Sequence, residues 1–160
     1  MSAAVRCARC QRRTAVSSLA ADCPCGGLLE VVHTPKLAAD DLRRLWDRRR
    51  GHDPEAEGSG VWRFRELLLT GRGDIVTHPE GNTALYRREA LSRYVGLSDL
   101  TLKHEGENPT GSFKDRGMTV AVTHAVRSGA TAVACASTGN TSASMAAYAA
   151  QAGLPALVFV

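Results

Sequence analysis

The sequence predicts an α/β fold, and three observations carry that prediction. Strand-like and helix-like stretches alternate from residue 74 to residue 160. Two apolar runs, "TAVACAS" (131–137) and "PALVFV" (155–160), bracket a helical segment rich in small residues. Strand, helix and strand in about thirty residues make a βαβ unit with parallel strands and a right-handed crossover.

The elements are justified in chain order. Residues 1–33 hold four of the five cysteines and read as short strands and turns. Residues 34–73 are charged and mostly helical, interrupted by "RGHDPEAEGSG" (50–60). Their helix is expected to start at "TP", with Thr34 as N-cap and Pro35 at the first helical position. Leu37, Ala38, Leu42, Leu45 and Trp46 form its apolar stripe, and Gly51 ends it. Residues 74–160 form the third zone. "REALSRYVG" (88–96) is a short helix closed by Gly96, and "LTLKHE" (100–105) alternates in the strand manner. A helix capped by Ser112, with Asp115 at the capping-box position, places Met118, Ala121, Val122, Ala125 and Val126 on one face and stops at Gly129. "TSASMAAYAAQAG" (141–153) is a helix whose small residues allow close approach to a sheet. The final strand stops within "ALVFV". Parallel strands are ordinarily covered on both faces, so a truncated chain is expected, with a terminal edge strand as the alternative.

Composition narrows the function. No apolar run approaches the ~20 residues a transmembrane helix needs, and "MSAAVRCARC" lacks the apolar core of a secretory signal. A cytoplasmic location without membrane attachment is therefore expected. The net charge of +4 comes partly from "RRLWDRRR" (43–50), but aromatics are only 5% of the chain, which argues against nucleic-acid binding.

Cys7 and Cys10 form a C-x2-C pair; Cys23 and Cys25 form C-x-C after a twelve-residue spacer. Two close pairs bring four thiolates together at small loop entropy, the ligand set of a structural zinc. Gly26 and Gly27 let the backbone turn behind the second pair. Thirty residues bury little core, so metal would supply folding energy. Reduced structural cysteines and disulfides are the other readings, the latter disfavoured in the cytosol. Cys135 reads as a small apolar strand residue.

Lys114 raises a physical question, because a helix start is positive and disfavours a cation. Arg116 adds a second cation. Both push the lysine toward its neutral form, in which it is a nucleophile toward carbonyls and a usable base. A surface lysine offset by Asp115 is the alternative. The loop "STGNTSAS" (137–144) lies between a strand end and a helix start, where free N–H groups suit an anion. Ser137, Thr138 and Thr141 offer hydroxyls and Asn140 an amide. An ordinary capped βα turn is the alternative.

Taken together, "HEGENPTGSFKDRGM" (104–118) and "ACASTGNTSAS" (134–144) closely resemble the threonine synthase family, pyridoxal-phosphate enzymes of the tryptophan-synthase-β-like fold (fold type II). The segment 58–68, containing "SGVWRFRELL", the turn "GNTAL" (81–85) and the ribbon ending "CPCGGLLEV" (23–31) extend the resemblance over nearly the whole chain. The resemblance implies that Lys114 carries pyridoxal phosphate as a Schiff base and that Phe113 packs beside its ring. Asn140 would bond its phenolic oxygen, while Ser137, Thr138 and Thr141, with Asn140 beside them, hold the substrate carboxylate. It implies conversion of O-phospho-L-homoserine and water to L-threonine and phosphate, by an enzyme expected to be a homodimer. Lys103 and Arg116 would be phosphate contacts, or Arg116 a salt-bridge partner. Ala84 stands where the family has proline, which is expected to loosen the turn. The family's phosphate-gripping glycine loop and the hydroxyl facing the pyridine nitrogen would lie beyond residue 160, so the isolated chain is expected to bind cofactor poorly and be inactive. Competing readings are a related lyase, such as cysteate synthase or threonine dehydratase, and a non-catalytic zinc-ribbon interaction module.

Overall fold

The computed structural model describes residues 2–14, 22–34, 36–68 and 73–160. The cysteine-rich segment forms a three-stranded antiparallel sheet of β1 (Ser2–Cys7), β2 (Arg13–Thr14) and β3 (Leu29–Thr34), with β1 in the centre. Thr34 pairs with Ser2 at the end of this ladder. That pairing moves the next helix: α1 spans Ala39–Arg49 with Ala38 as its N-cap, so Thr34 serves the sheet instead of capping. Pro35 lies outside the described residues. Asp40 and Asp41 in the first turn and Arg48 and Arg49 in the last complement the helix dipole. Leu42 is the buried member of the stripe, whereas Leu37 remains exposed.

The "polar interruption" contains a short 3-10 turn, Pro54–Ala56, capped by Asp53. Trp62–Leu67 is an irregular helical stretch tied to α1 by Glu66, whose carboxylate accepts from Trp46 Nε1 and Arg49 Nη1, both at 2.9 Å. β4 (Leu85–Tyr86) and β5 (Leu102–Lys103) pair antiparallel, with α2 (Glu89–Val95) between them in sequence and Gly96 closing it at φ 73°. The strand read in 100–105 thus shrinks to two exposed residues, and Glu105–Glu107 turns into a 3-10 helix. α3 (Lys114–Arg127), β6 (Val133–Ala136), α4 (Asn140–Gln151) and β7 (Ala156–Phe159) follow. β6 and β7 pair in parallel, Val133 opposite Ala156 through Ala136 opposite Phe159, which makes β6–α4–β7 the expected βαβ unit.

The core between α3 and α4 is small and partly polar. Val76, Val122 and Tyr148 are its buried centre, packed by Met118, Val126, Ala147 and Ala152. Thr119 and Thr123, fully buried on α3, hold the extended segment before them: Val76 N–H donates to Thr123 Oγ1 at 2.9 Å and Thr119 Oγ1 donates to the Val76 carbonyl at 2.7 Å. Trp62 Nε1 donates to Thr119 Oγ1 at 2.7 Å, anchoring the irregular helix to α3. Glu80 is wholly buried yet satisfied, accepting from Thr77 Oγ1, the His78 N–H, Tyr148 Oη and Ser59 Oγ. Burial, then the Glu80 carboxylate, pushes the Tyr148 phenol strongly upward, so it stays a donor. The chain passes Gly60 so closely by Asn82 that a Cβ on Gly60 would sit 2.3 Å from the Asn82 nitrogen.

The "GNTAL" turn is pinned to the segment that precedes α3. Glu105 accepts from Arg116 Nε at 2.7 Å, Arg116 Nη2 at 2.8 Å and Thr83 Oγ1 at 2.9 Å, and Asn108 Oδ1 accepts from the Gly81 N–H at 3.0 Å. Arg116 is therefore an ion-pair partner. The Ala84 N–H donates to Glu107 at 2.7 Å. Proline has no such proton, so a proline at this position would forgo the bond.

The Arg116 hydrogen bonds pull Glu105 down to about 2. A carboxyl whose folded value lies below its unfolded one stabilises fully above the unfolded value and loses that contribution as pH falls through the folded one. Urea midpoints of the parent chain should therefore drop between about pH 4.3, the usual glutamate value, and pH 2. The Glu105→Gln variant should be less stable at neutral pH and show a smaller acid loss. An identical acid limb in both proteins would remove Glu105 from this role.

Candidate active site

Two helix starts meet in this molecule, and the sequence of each explains how. The α3 helix begins at Lys114 with Phe113, not Ser112, at the cap position. Ser112 still contributes, since its Oγ accepts from the Lys114 N–H at 3.3 Å. Asp115 does not close a capping box on Ser112. Its carboxylate is fully buried and accepts from the Thr110 N–H at 2.7 Å and from Thr110 Oγ1 and Ser144 Oγ at 2.5 Å each. The first two bonds fold the "NPTGS" loop back over the helix start. The third reaches across to the second turn of α4.

That inter-helix bond brings the two sequence-predicted segments together. Lys114 adjoins Asp115, and Asn140 lies four residues before Ser144, on the same side of α4. Lys114 is half-buried, its Nζ 4.5 Å from the centroid of the Phe113 ring, which is itself 56% exposed. The lysine amine therefore rests on an aromatic face with no carboxylate pairing it among the described residues.

The 137–144 loop separates inward from outward residues. Ser142 and Ser144 are buried; Ser142 Oγ donates to the Ser137 carbonyl. Thr138 and Asn140 are exposed, and Ser137 and Thr141 half-exposed. The Gly139 N–H donates to Ser137 Oγ at 3.2 Å, leaving that hydroxyl proton free to donate. α4 starts at Asn140, with Gly139 at the cap position and no side-chain cap. Its first-turn N–H groups, with the Thr138, Asn140 and Thr141 side chains, form a neutral donor set of the kind that binds a carboxylate. An amine and an amide donor set on two clasped helix starts fit an aldehyde cofactor and an anionic amino acid.

The four N-terminal cysteines also converge. Their sulfurs all lie within 4.8 Å of one another, with Cys7–Cys25 and Cys10–Cys23 at 3.6 Å. A tetrahedron of thiolates at a zinc–sulfur distance of ~2.3 Å has edges of ~3.8 Å, so the set fits. The Cys10 and Arg9 N–H groups point at Cys7 Sγ, and chiefly the Cys10 bond pulls that thiol down to about 6. Gly27 is required here, because a Cβ would lie 2.6 Å from Cys7 Sγ. Cys135 stands apart, half-buried on β6 beside Ser142.

Sequence reasoning missed Glu80, Thr119, Thr123 and Ser144, the polar groups that fix these elements. Ser144 lies among the small residues of α4, and nothing in its spacing marks it as the partner of Asp115.

Comparison with known proteins places this geometry. The family model described as "Pyridoxal-phosphate dependent enzyme" matches residues 76–160. A threonine synthase of Methanocaldococcus jannaschii is 43% identical over 156 residues, covering 97% of this chain and 37% of its own. One from Methanosarcina acetivorans is 46% identical over 136 residues (85% and 31%), and one from Mycobacterium bovis is 59% identical over 98 residues (61% and 27%). The chain spans about a third of the length of these curated relatives. The match covers both clasped helices and the strands beside them, and on that ground the chain belongs to the pyridoxal-phosphate-dependent enzyme family.

Proposed function

We propose that this chain is part of a threonine synthase, converting O-phospho-L-homoserine and water to L-threonine and phosphate in the cytoplasm as a homodimer. The observation that supports the reading is the Asp115–Ser144 bond, which ties the first turn of α3 to the second turn of α4. Support comes from the threonine synthases that match at 43 to 59% identity.

In this reading Lys114 holds pyridoxal phosphate, with Phe113 beside the ring and Asn140 bonded to the phenolic oxygen. When bound, the cofactor supplies an electron sink for carbon acids. Ser137, Thr138, Asn140 and Thr141 orient the substrate through its carboxylate. The Lys114 amine would take protons from Cα and Cβ and give them back at Cγ and Cα. Phosphate leaves from Cγ and water adds at Cβ. Thr110, folded over the helix start by Asp115, limits the freedom of the lysine backbone.

The four cysteines would hold one structural zinc in the N-terminal sheet, with all four positions filled by protein and none left for chemistry.

Two outcomes test this reading in the full-length protein. Replacing Lys114 with Ala should abolish the cofactor's lysine-dependent visible absorption and lower phosphohomoserine turnover by about a thousandfold or more; turnover near the parent rate would sink the assignment, and turnover of threonine alone would favour a dehydratase. Metal analysis should find about one zinc per chain, lost together with thermal stability when Cys23 becomes Ser. A metal-free parent protein of unchanged stability would contradict the zinc site.

A further inference from the structure

The "SGVWRFRELL" segment takes no part in the site above, yet it lines a cavity of about 360 Å³ with a marked charge bias. Arg50, Arg63, Lys103 and Arg116 line it, together with Gly60, Asn82 and Thr83, and no carboxylate does. Two of these cations are already compensated: Arg116 by Glu105, and Arg50 by Asp47 at 3.6 Å. The other two make no ion pair among the described residues. Lys103 spends one proton on the Thr83 carbonyl at 2.8 Å and keeps two. Arg63 has no ion-pair partner among the described residues, and its Nε is buried without a hydrogen bond.

Arg63 is held in that condition by its surroundings. Arg49, itself paired to Glu66, donates to the Arg63 carbonyl at 3.0 Å and fixes the backbone. The guanidinium sits 4.3 Å over the Phe64 ring. Burial, then the nearby Arg50, lowers its proton affinity, with Asp47 acting in the opposite direction. Guanidinium and ammonium groups around one cavity match the oxygens of a phosphate group.

The cavity also lies away from the lysine. Arg116 follows Lys114 by two residues on α3, so the two side chains leave the helix about 200° apart. A ligand held against Arg116 and Arg63 is therefore on the other side of α3 from one held by Lys114.

We propose that this cavity is a second binding site, separate from the lysine site, for a phosphate-class oxyanion, with Arg63 and Lys103 as its principal donors. The anion is either inorganic phosphate or the phosphate of a monoester.

The test is calorimetric titration of the full-length protein, without added pyridoxal phosphate, at constant ionic strength set with chloride. Inorganic phosphate and glycerol 3-phosphate are titrated separately. Saturable binding of either is expected, and the tighter one identifies the source. Arg63→Ala should weaken it about tenfold or more, as expected for loss of a charge-assisted donor. Lys103→Ala should weaken it less, and Lys114→Ala should leave it unchanged. Arg63→Gln, which keeps much of the side-chain volume, should show the same weakening if Arg63→Ala does not fold. No saturable binding to the parent protein would overturn the proposal. So would equal binding by the Arg63 variants, or a loss confined to Lys114→Ala, which would place the anion at the lysine. Cofactor absorption, read separately, reports on the enzyme assignment, so either conclusion can fail alone.

Discussion

The buried carboxylate of Asp115 is the constraint on which the arrangement depends. It has no exposed surface and accepts three hydrogen bonds, two from Thr110 and one from Ser144. An ionised carboxylate in an apolar interior is costly unless its lone pairs are met, so the loop before α3 and the second turn of α4 must both come to it. Satisfying this carboxylate ties the first turn of α3, which carries Lys114, to the second turn of α4.

The same device recurs around it. Glu80 gathers Ser59, Thr77 and Tyr148; Glu105 gathers Arg116, Thr83 and Asn108; Glu66 gathers Trp46 and Arg49. Each acid joins segments far apart in sequence. Networks of this kind are expensive when half satisfied and rigid when complete. They also explain how so small an apolar core can hold loops in defined positions. On β7, by contrast, Leu157, Val158 and Phe159 leave an apolar surface uncovered within the described residues.

Local periodicity made α2, α3, α4 and the parallel β6–β7 pair legible, because each is written in neighbouring residues: Gly96 and Gly129 as stops, Met118–Val122–Val126 as a stripe, "VACA" and "ALVF" as runs. What failed was set at a distance. Thr34 looks like a cap until Ser2 claims it for a strand. "LTLKHE" alternates like a strand, but only Leu102 and Lys103 find partners. Ala84 looks like a loss until Glu107 is seen to use its N–H. Arg116 reads as either a phosphate contact or a salt-bridge partner until Glu105 meets it. The buried acids Glu80 and Asp115 resemble surface residues in sequence, because the donors that permit their burial come from elsewhere in the chain.

The most direct measurement is a double-mutant cycle on Asp115 and Ser144, read as pyridoxal-phosphate affinity of the full-length protein and checked by thermal unfolding. Asp115→Asn and Ser144→Ala should each weaken cofactor binding, by about tenfold for loss of a charged hydrogen bond. The double variant should be little worse than the poorer single one, because both changes break one link. Fully additive losses, or single variants that bind cofactor like the parent, would contradict the claim that this bond ties the Lys114 turn of α3 to α4.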